Sequence, residues 1–319
     1  MLKTIFLGTP ASAVAFLRAT AELTEVVAVV SQPDRPAGRG LAVAPTPVRA
    51  QAERLGLRVL QPERPSQIAG ELAALGADLA VVVAYGRLLK PEVLSAARLG
   101  FLNAHFSLLP KYRGAAPVQW ALVRGEARTG VTLFWLDEGL DTGPIQAARE
   151  TQVDPDEDAG ALLGRLTELG VGLLREQLSE IAAGGVRRLA QSGEPSLAPL
   201  ITREDARLDL TRPASDAHGR VRGFRLWPRA YLERAGAPRL LVLKTALAGP
   251  ADPPARGAPG RVLAVVRGGG ILIECGSRSR LWLLEVQPEG KKPSTGADYA
   301  NGLRLAEGGF LPFDGAQRR

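Results

Sequence analysis

Three polar residues carry the chemistry open to this chain, and each follows an apolar run. Asn103 and His105 come just after Leu99 to Leu102, and Asp141 lies in the loop Glu138 to Gly143, just after Val131 to Leu136. An open parallel sheet binds ligands in the crevice outside the carboxyl ends of its strands. Two loops leaving two such ends would bring an amide, an imidazole and a carboxylate together. That trio can polarise a carbonyl and move a proton. Asp137, one strand end earlier, is a rival carboxylate. His218, the second of two histidines, sits in a polar, helix-like stretch and reads as exposed. No second His or Cys stands near His105 to build a metal site. A Walker loop and a serine nucleophile elbow are both missing.

The elements that position the trio read as α/β. Thr4 to Leu7 is an apolar run closed by Gly8, Ser12 is a fitting N-cap for the helix that follows, and Val26 to Val30 is the next strand. This βαβ opening is no dinucleotide fingerprint, because Pro10 and Ala13 occupy the positions where that motif needs glycine. Ser31 to Pro47 is rich in Pro and Gly, so it reads as a long surface loop of functional interest that carries Arg35 and Arg39. Leu79 to Val83 is the continuous apolar run of a strand buried on both faces. It leads into Ala84 to Leu89, a loop with apolar walls for a flat ligand. Asp158 to Ala183 has helical spacing.

Residues 187–205 read as a linker between a domain of residues 1–186 and one of residues 206–319. The second domain opens with a helix over Asp205 to Gly223. Five short strands follow: Ala230 to Leu232, Leu240 to Lys244, Val262 to Val266, Gly270 to Glu274 and Leu281 to Val286. Their spacing suggests a small β-barrel like the oligonucleotide-binding kind. The fold class expected is therefore α/β, a Rossmann-like doubly wound parallel sheet followed by a small OB-fold-like β-barrel.

Composition narrows the partners. The 319 residues are 45% hydrophobic, enough for two cores and too apolar for a disordered chain. The single cysteine, Cys275, lies in an apolar run and reads as core, which fits a reducing compartment. The first residues resemble a strand rather than a signal peptide, and no stretch reaches membrane-span length. A cytoplasmic monomer with no membrane partner and no metal is expected. Residues 1–205 hold 21 Lys/Arg against 23 Asp/Glu, whereas residues 206–319 hold 19 against 10, so the net +7 sits in the C-terminal part. That asymmetry points to a polyanion bound there.

The quoted segments also carry a resemblance. FLGTP (Phe6–Pro10), PDRPAGRG (Pro33–Gly40), VVAYGRLL (Val82–Leu89), the run Asn103–Pro117, Gly130–Gly143 and Arg222–Pro228 together resemble the methionyl-tRNA formyltransferase family, over nearly the full length. The Asn-x-His and Asp-x-Gly parts are shared by all folate-dependent formyltransferases. The Pro33–Gly40 loop and the basic C-terminal domain select the tRNA-directed members. The resemblance implies 10-formyltetrahydrofolate as formyl donor and methionyl initiator tRNA as acceptor. It implies a catalytic set of Asn103, His105 and Asp141, and a folate set of Tyr85, Gly86, Arg87, Leu88, Leu89, Ser107, Leu108, Leu109 and Pro110. It also implies tRNA contacts from Arg35 and Arg39. Phe106 departs from the pattern, standing where many relatives carry glycine, and is expected to narrow the pocket.

Overall fold

The strand Leu79–Val83 is buried at every position, and the N-terminal sheet is assembled around it. The computed structural model describes residues 1–37, 42–233 and 238–313. Two compact units are present. The first comprises Met1–Pro117, Arg128–Gln152 and Leu163–Pro199; the second comprises Val118–Ala127, Val153–Leu162 and Leu200–Arg319. In chain order the elements are β1 (Lys3–Gly8), α1 (Ala11–Leu23), β2 (Glu25–Val30), β3 (Arg35–Ala37), β4 (Ala42–Ala44), α2 (Pro47–Arg54), β5 (Val59–Leu60), α3 (Ala69–Ala74), β6 (Leu79–Val83), α4 (Pro91–Leu94) and β7 (Phe101–His105). Next come β8 (Arg113–Gly114), α5 (Pro117–Val123), β9 (Arg128–Trp135), β10 (Ile145–Gln152), α6 (Ala159–Ala182) and β11 (Leu197–Ala198).

The sheet of the first unit has the order β10-β9-β7-β6-β1-β2-β5. From β7 to β5 the pairs are parallel, as a βαβ chain requires. β9 is antiparallel to both β7 and β10, so the sheet is parallel-dominated rather than wholly parallel. The nine residues from Leu136 to Pro144 are too few for a crossover with a helix, so β9 and β10 pair as a hairpin. At the opening turn, a Cβ on Gly8 would lie 2.9 Å from Phe6 and 3.1 Å from the Val83 carbonyl. Gly8 is thus a packing glycine. Helix α1 starts on Pro10 with no side-chain cap, so Ser12 is not the N-cap expected of it.

Three further expectations change. Asn103 and His105 lie inside β7 rather than in a loop after it. The segment Ser31 to Pro47 is no plain loop: its arms pair as the antiparallel strands β3 and β4. Asp34 anchors its base by accepting from the Thr46 N–H, from Gln61 and from Arg49, which also ion-pairs with it. Arg39 lies outside the described residues. Finally, residues up to Pro199 of the expected linker belong to the first unit, where β11 pairs with β8 and Leu189 with Ile145. Those pairings use backbone groups, which a Pro/Gly-rich composition does not reveal.

The second unit adds α7 (Ala214–Gly223), β12 (Tyr231–Leu232), β13 (Leu240–Leu247), β14 (Val262–Val265), β15 (Ile271–Glu274), β16 (Arg280–Pro288), β17 (Ser294–Thr295) and α8 (Gly296–Gly302). The strands form an antiparallel sheet, β12-β13-β16-β15-β14, with β17 on β16. Leu210, Val221, Val242, Ile273, Leu283 and Cys275 share its core. Burial pushes the Cys275 thiol up to about 12, so it is a core residue and no nucleophile. The helix expected over Asp205 to Gly223 is shorter, because Pro213 sits at the N-cap of α7. His218 is buried, not exposed. It shares the inward face of α7 with Ala214, Ala217 and Val221, and its ring nitrogens meet the Thr245 hydroxyl at 2.9 Å and the Pro155 carbonyl at 3.2 Å. The charged Asp216, Arg220 and Arg222 between them made the stretch read as polar.

Candidate active site

Asn103 and His105 are two residues apart on one strand, so their side chains leave the same face of β7. His105 is 6% exposed and packs edge-on against Phe134, with ring centroids 6.2 Å apart. Its Nε2 donates to the Tyr112 carbonyl at 2.8 Å, since a carbonyl can only accept. That places Nδ1 toward the Asp141 carboxylate, 3.6 Å from Oδ2. Burial holds the imidazole below its ordinary pKa, while the Asp141 charge and the Tyr112 carbonyl pull the other way. In the neutral ring Nδ1 bears the lone pair, and a proton taken there lies beside a carboxylate. Asn103 is half-buried, and no hydrogen bond of its side-chain amide is seen among the described residues. Among the described residues its N–H₂ group is thus an uncommitted donor.

Asp141 does not reach His105 by leaving a neighbouring carboxyl end. Because β9 is antiparallel, its end at Trp135 lies beside Leu102, at the start of β7. The loop Leu136 to Pro144 therefore runs back along β7. Asp141 takes φ +52°, unusual for a non-glycine residue. Its Oδ2 accepts from the Gly114 N–H at 2.7 Å. Gln191 donates from Nε2 to the carbonyls of Asp141 and Gly143, 2.8 Å each. Its Oε1 accepts from Arg113 Nε and Nη2 at 3.2 and 2.6 Å. The rival Asp137 is consumed locally, accepting from the Gly139 N–H at 3.0 Å and the Thr142 hydroxyl at 2.7 Å. It forms an Asx turn.

The residues of the folate set divide by exposure. Gly86, Arg87 and Leu88 are exposed and Leu108 is half-buried; Tyr85, Leu89, Ser107, Leu109 and Pro110 are buried. Tyr85 and Leu89 pack into the core with Ile5, Leu7 and Val82, and the Tyr85 carbonyl accepts from Gln32 at 2.7 Å. The Ser107 hydroxyl is committed to the Lys111 carbonyl at 2.6 Å. Thr132 pins this loop, donating to the Ser107 carbonyl and accepting from the Leu109 N–H. Phe106 turns into the core, edge-on to Phe16 at 6.1 Å, so it packs behind the sheet instead of narrowing a pocket. Arg35 is exposed on β3. Among the described residues no group of three or more His, Cys, Asp or Glu is placed to hold a metal, and no helix is long and apolar enough to cross a membrane.

Both parts of the chain match a known class. Residues 2–178 match the family model described as formyl transferase, and residues 200–304 match the formyl transferase C-terminal domain. The chain is 44% identical to the methionyl-tRNA formyltransferase of Myxococcus xanthus (strain DK1622), over 95% of this chain and 96% of that one. It is 45% identical to a methionyl-tRNA formyltransferase of Thermus thermophilus, covering 96% and 98%. Among solved structures, the N-formyltransferase of Helicobacter canadensis, in complex with folinic acid and dTDP-3-aminofucose, superposes with a TM-score of 0.66 at 17% identity, over 89% of this chain and 99% of that one. The chain belongs to the methionyl-tRNA formyltransferase family.

Proposed function

We infer that the chain is a transferase that moves the formyl group of 10-formyltetrahydrofolate to the α-amino group of methionine on initiator tRNA. Family membership carries the class, and the pairing of His105 Nδ1 with Asp141, beside the free amide of Asn103, carries the mechanism. The amine lone pair attacks the formyl carbon, the C–N bond forms, and the carbonyl electrons move onto oxygen. Asn103 donates to that oxyanion, and one such donor supports about 10²–10³ in kcat. His105 has one nitrogen bound to Tyr112 and takes the amine proton on the other, where Asp141 stabilises it. Proton transfer of this kind contributes about 10²–10⁴ in rate. The oxyanion then collapses, the bond to the folate nitrogen breaks, and the proton passes to that nitrogen.

Gly86, Arg87, Leu88 and Leu108 offer accessible surface for the folate, while the buried members of the set shape its walls. Arg35 and Arg39 are proposed to meet the tRNA, as is the basic region 206–319. The protein is proposed to act as a cytoplasmic monomer. A formyl-transfer assay offering charged initiator tRNA and a nucleotide-sugar amine side by side tests this reading. Transfer to the tRNA alone is expected; transfer to the sugar amine alone overturns it.

A further inference from the structure

We propose that Gln191 is a positioning residue for proton transfer, held in orientation by Arg113 and acting through the backbone of Asp141. Three observations converge. Arg113 can only donate, so Gln191 must turn Oε1 toward it, and this fixes Nε2 toward the Asp141 loop. Nε2 then spends both of its N–H groups on the carbonyls of Asp141 and Gly143. Those carbonyls belong to Asp141 itself, held in the left-handed conformation at φ +52°, and to the residue two beyond it. Such a conformation persists only where the surroundings enforce it. From the other side the next residue along β8, Gly114, grips the carboxylate itself. The short strand β8 thus holds Asp141 twice, once directly and once through Gln191. Without the Gln191 bridge the loop relaxes, and the carboxylate leaves His105 Nδ1.

This inference rests on the formyl-transfer reading above, and its test separates the two. Gln191→Glu keeps the length and the Arg113 contact but offers no N–H to the two carbonyls. Gln191→Ala removes both ends of the bridge. Steady-state kinetics on the full chain should show kcat and kcat/KM falling together, by up to about a hundredfold, in both variants. KM for tRNA and for folate should stay close to wild type. The pH profile of kcat gives a readout that a merely structural role would leave unmoved. With Asp141 displaced, only the Tyr112 carbonyl is left to oppose burial at His105, so the acid limb should move to lower pH. The double variant Asp141→Asn/Gln191→Ala should be no slower than Asp141→Asn alone, because Gln191 has nothing left to position. Wild-type turnover of Gln191→Glu, an unmoved acid limb, or additive losses in the double variant would each overturn the inference. If Asp141→Asn itself turns over normally, the catalytic reading fails as well.

Discussion

At the residue scale, the site rests on a buried imidazole whose two nitrogens have different work. Nε2 is fixed on the Tyr112 carbonyl and Nδ1 is left to accept a proton. His105→Ala and Asp141→Asn should each lower kcat by about 10²–10⁴. Asn103→Ala should lose about 10²–10³. Near-normal turnover of His105→Ala would remove its part in proton transfer. The sign of the pH dependence follows from burial, which lowers the pKa of His105. A neutral base stays competent until the pH falls through that lowered value, so the acid limb of kcat should lie below about 6.5, the ordinary histidine pKa. Stability has the same direction. His105 and His218 are both lowered by burial, so the unfolded chain binds more protons once the pH drops below about 6.5. Melting temperature should therefore fall between about pH 7 and pH 5, and His218→Leu should shrink that slope. A flat melting temperature across this range would contradict the burial of both rings.

At the element scale, the decisive feature is the loop from Leu136 to Pro144, which turns back along β7. The residue types at the site were legible because polar residues after apolar runs are conspicuous. Their route together was not. Asn103 and His105 read as loop because an Asn and a His interrupt the apolar pattern, yet pairing of Asn103 with Val82 and Phe134, and of His105 with Thr132, keeps them in the strand. Strand direction has no signature in residue type, so the antiparallel β9 was invisible too. Gln191 stood in a stretch of Gly, Ser and Pro with nothing to mark it, since its role depends on carbonyls roughly fifty residues away. The glycines of the loop show how tightly it is held. A Cβ on Gly143 would stand 1.8 Å from the Trp135 carbonyl, which is fixed backbone at the end of β9. Gly143→Ala must push the loop outward, costing about 1–3 kcal/mol of stability. It should also lower kcat more than it raises either KM, because it moves Asp141 and leaves the binding surfaces alone. Thermal unfolding and steady-state kinetics on the same preparation check both halves; an alanine variant with unchanged melting temperature and turnover would show that the loop is looser than its contacts imply.

At the scale of the whole molecule, charge and architecture divide between two regions of sequence. The two-part organisation and the basic C-terminal part were readable from composition, because charge excess needs no knowledge of folding. The boundaries were not, since the second unit also takes Val118–Ala127 and Val153–Leu162. Trp120, from the first of these segments, packs edge-on against Phe224 with centroids 5.9 Å apart. His218 and Arg222 bond carbonyls in the second. A fragment of residues 206–319 would lose all of these partners, so the role of its charge is best measured in the full chain. The net excess of Lys and Arg there should displace counterions from tRNA phosphates, making affinity fall steeply as salt rises. Lys291 and Lys292 are exposed on the turn after β16. If they meet phosphates, replacing both by alanine should weaken binding of initiator and elongator tRNAs alike and flatten the salt dependence by about one unit of slope per lysine. Turnover at saturating tRNA should persist, because neither lysine belongs to the reacting trio. Titrations of the full chain between about 50 and 200 mM salt make the comparison. Wild-type affinity that stays flat over this range would remove the polyanion role of residues 206–319, whatever the proposed catalytic trio does.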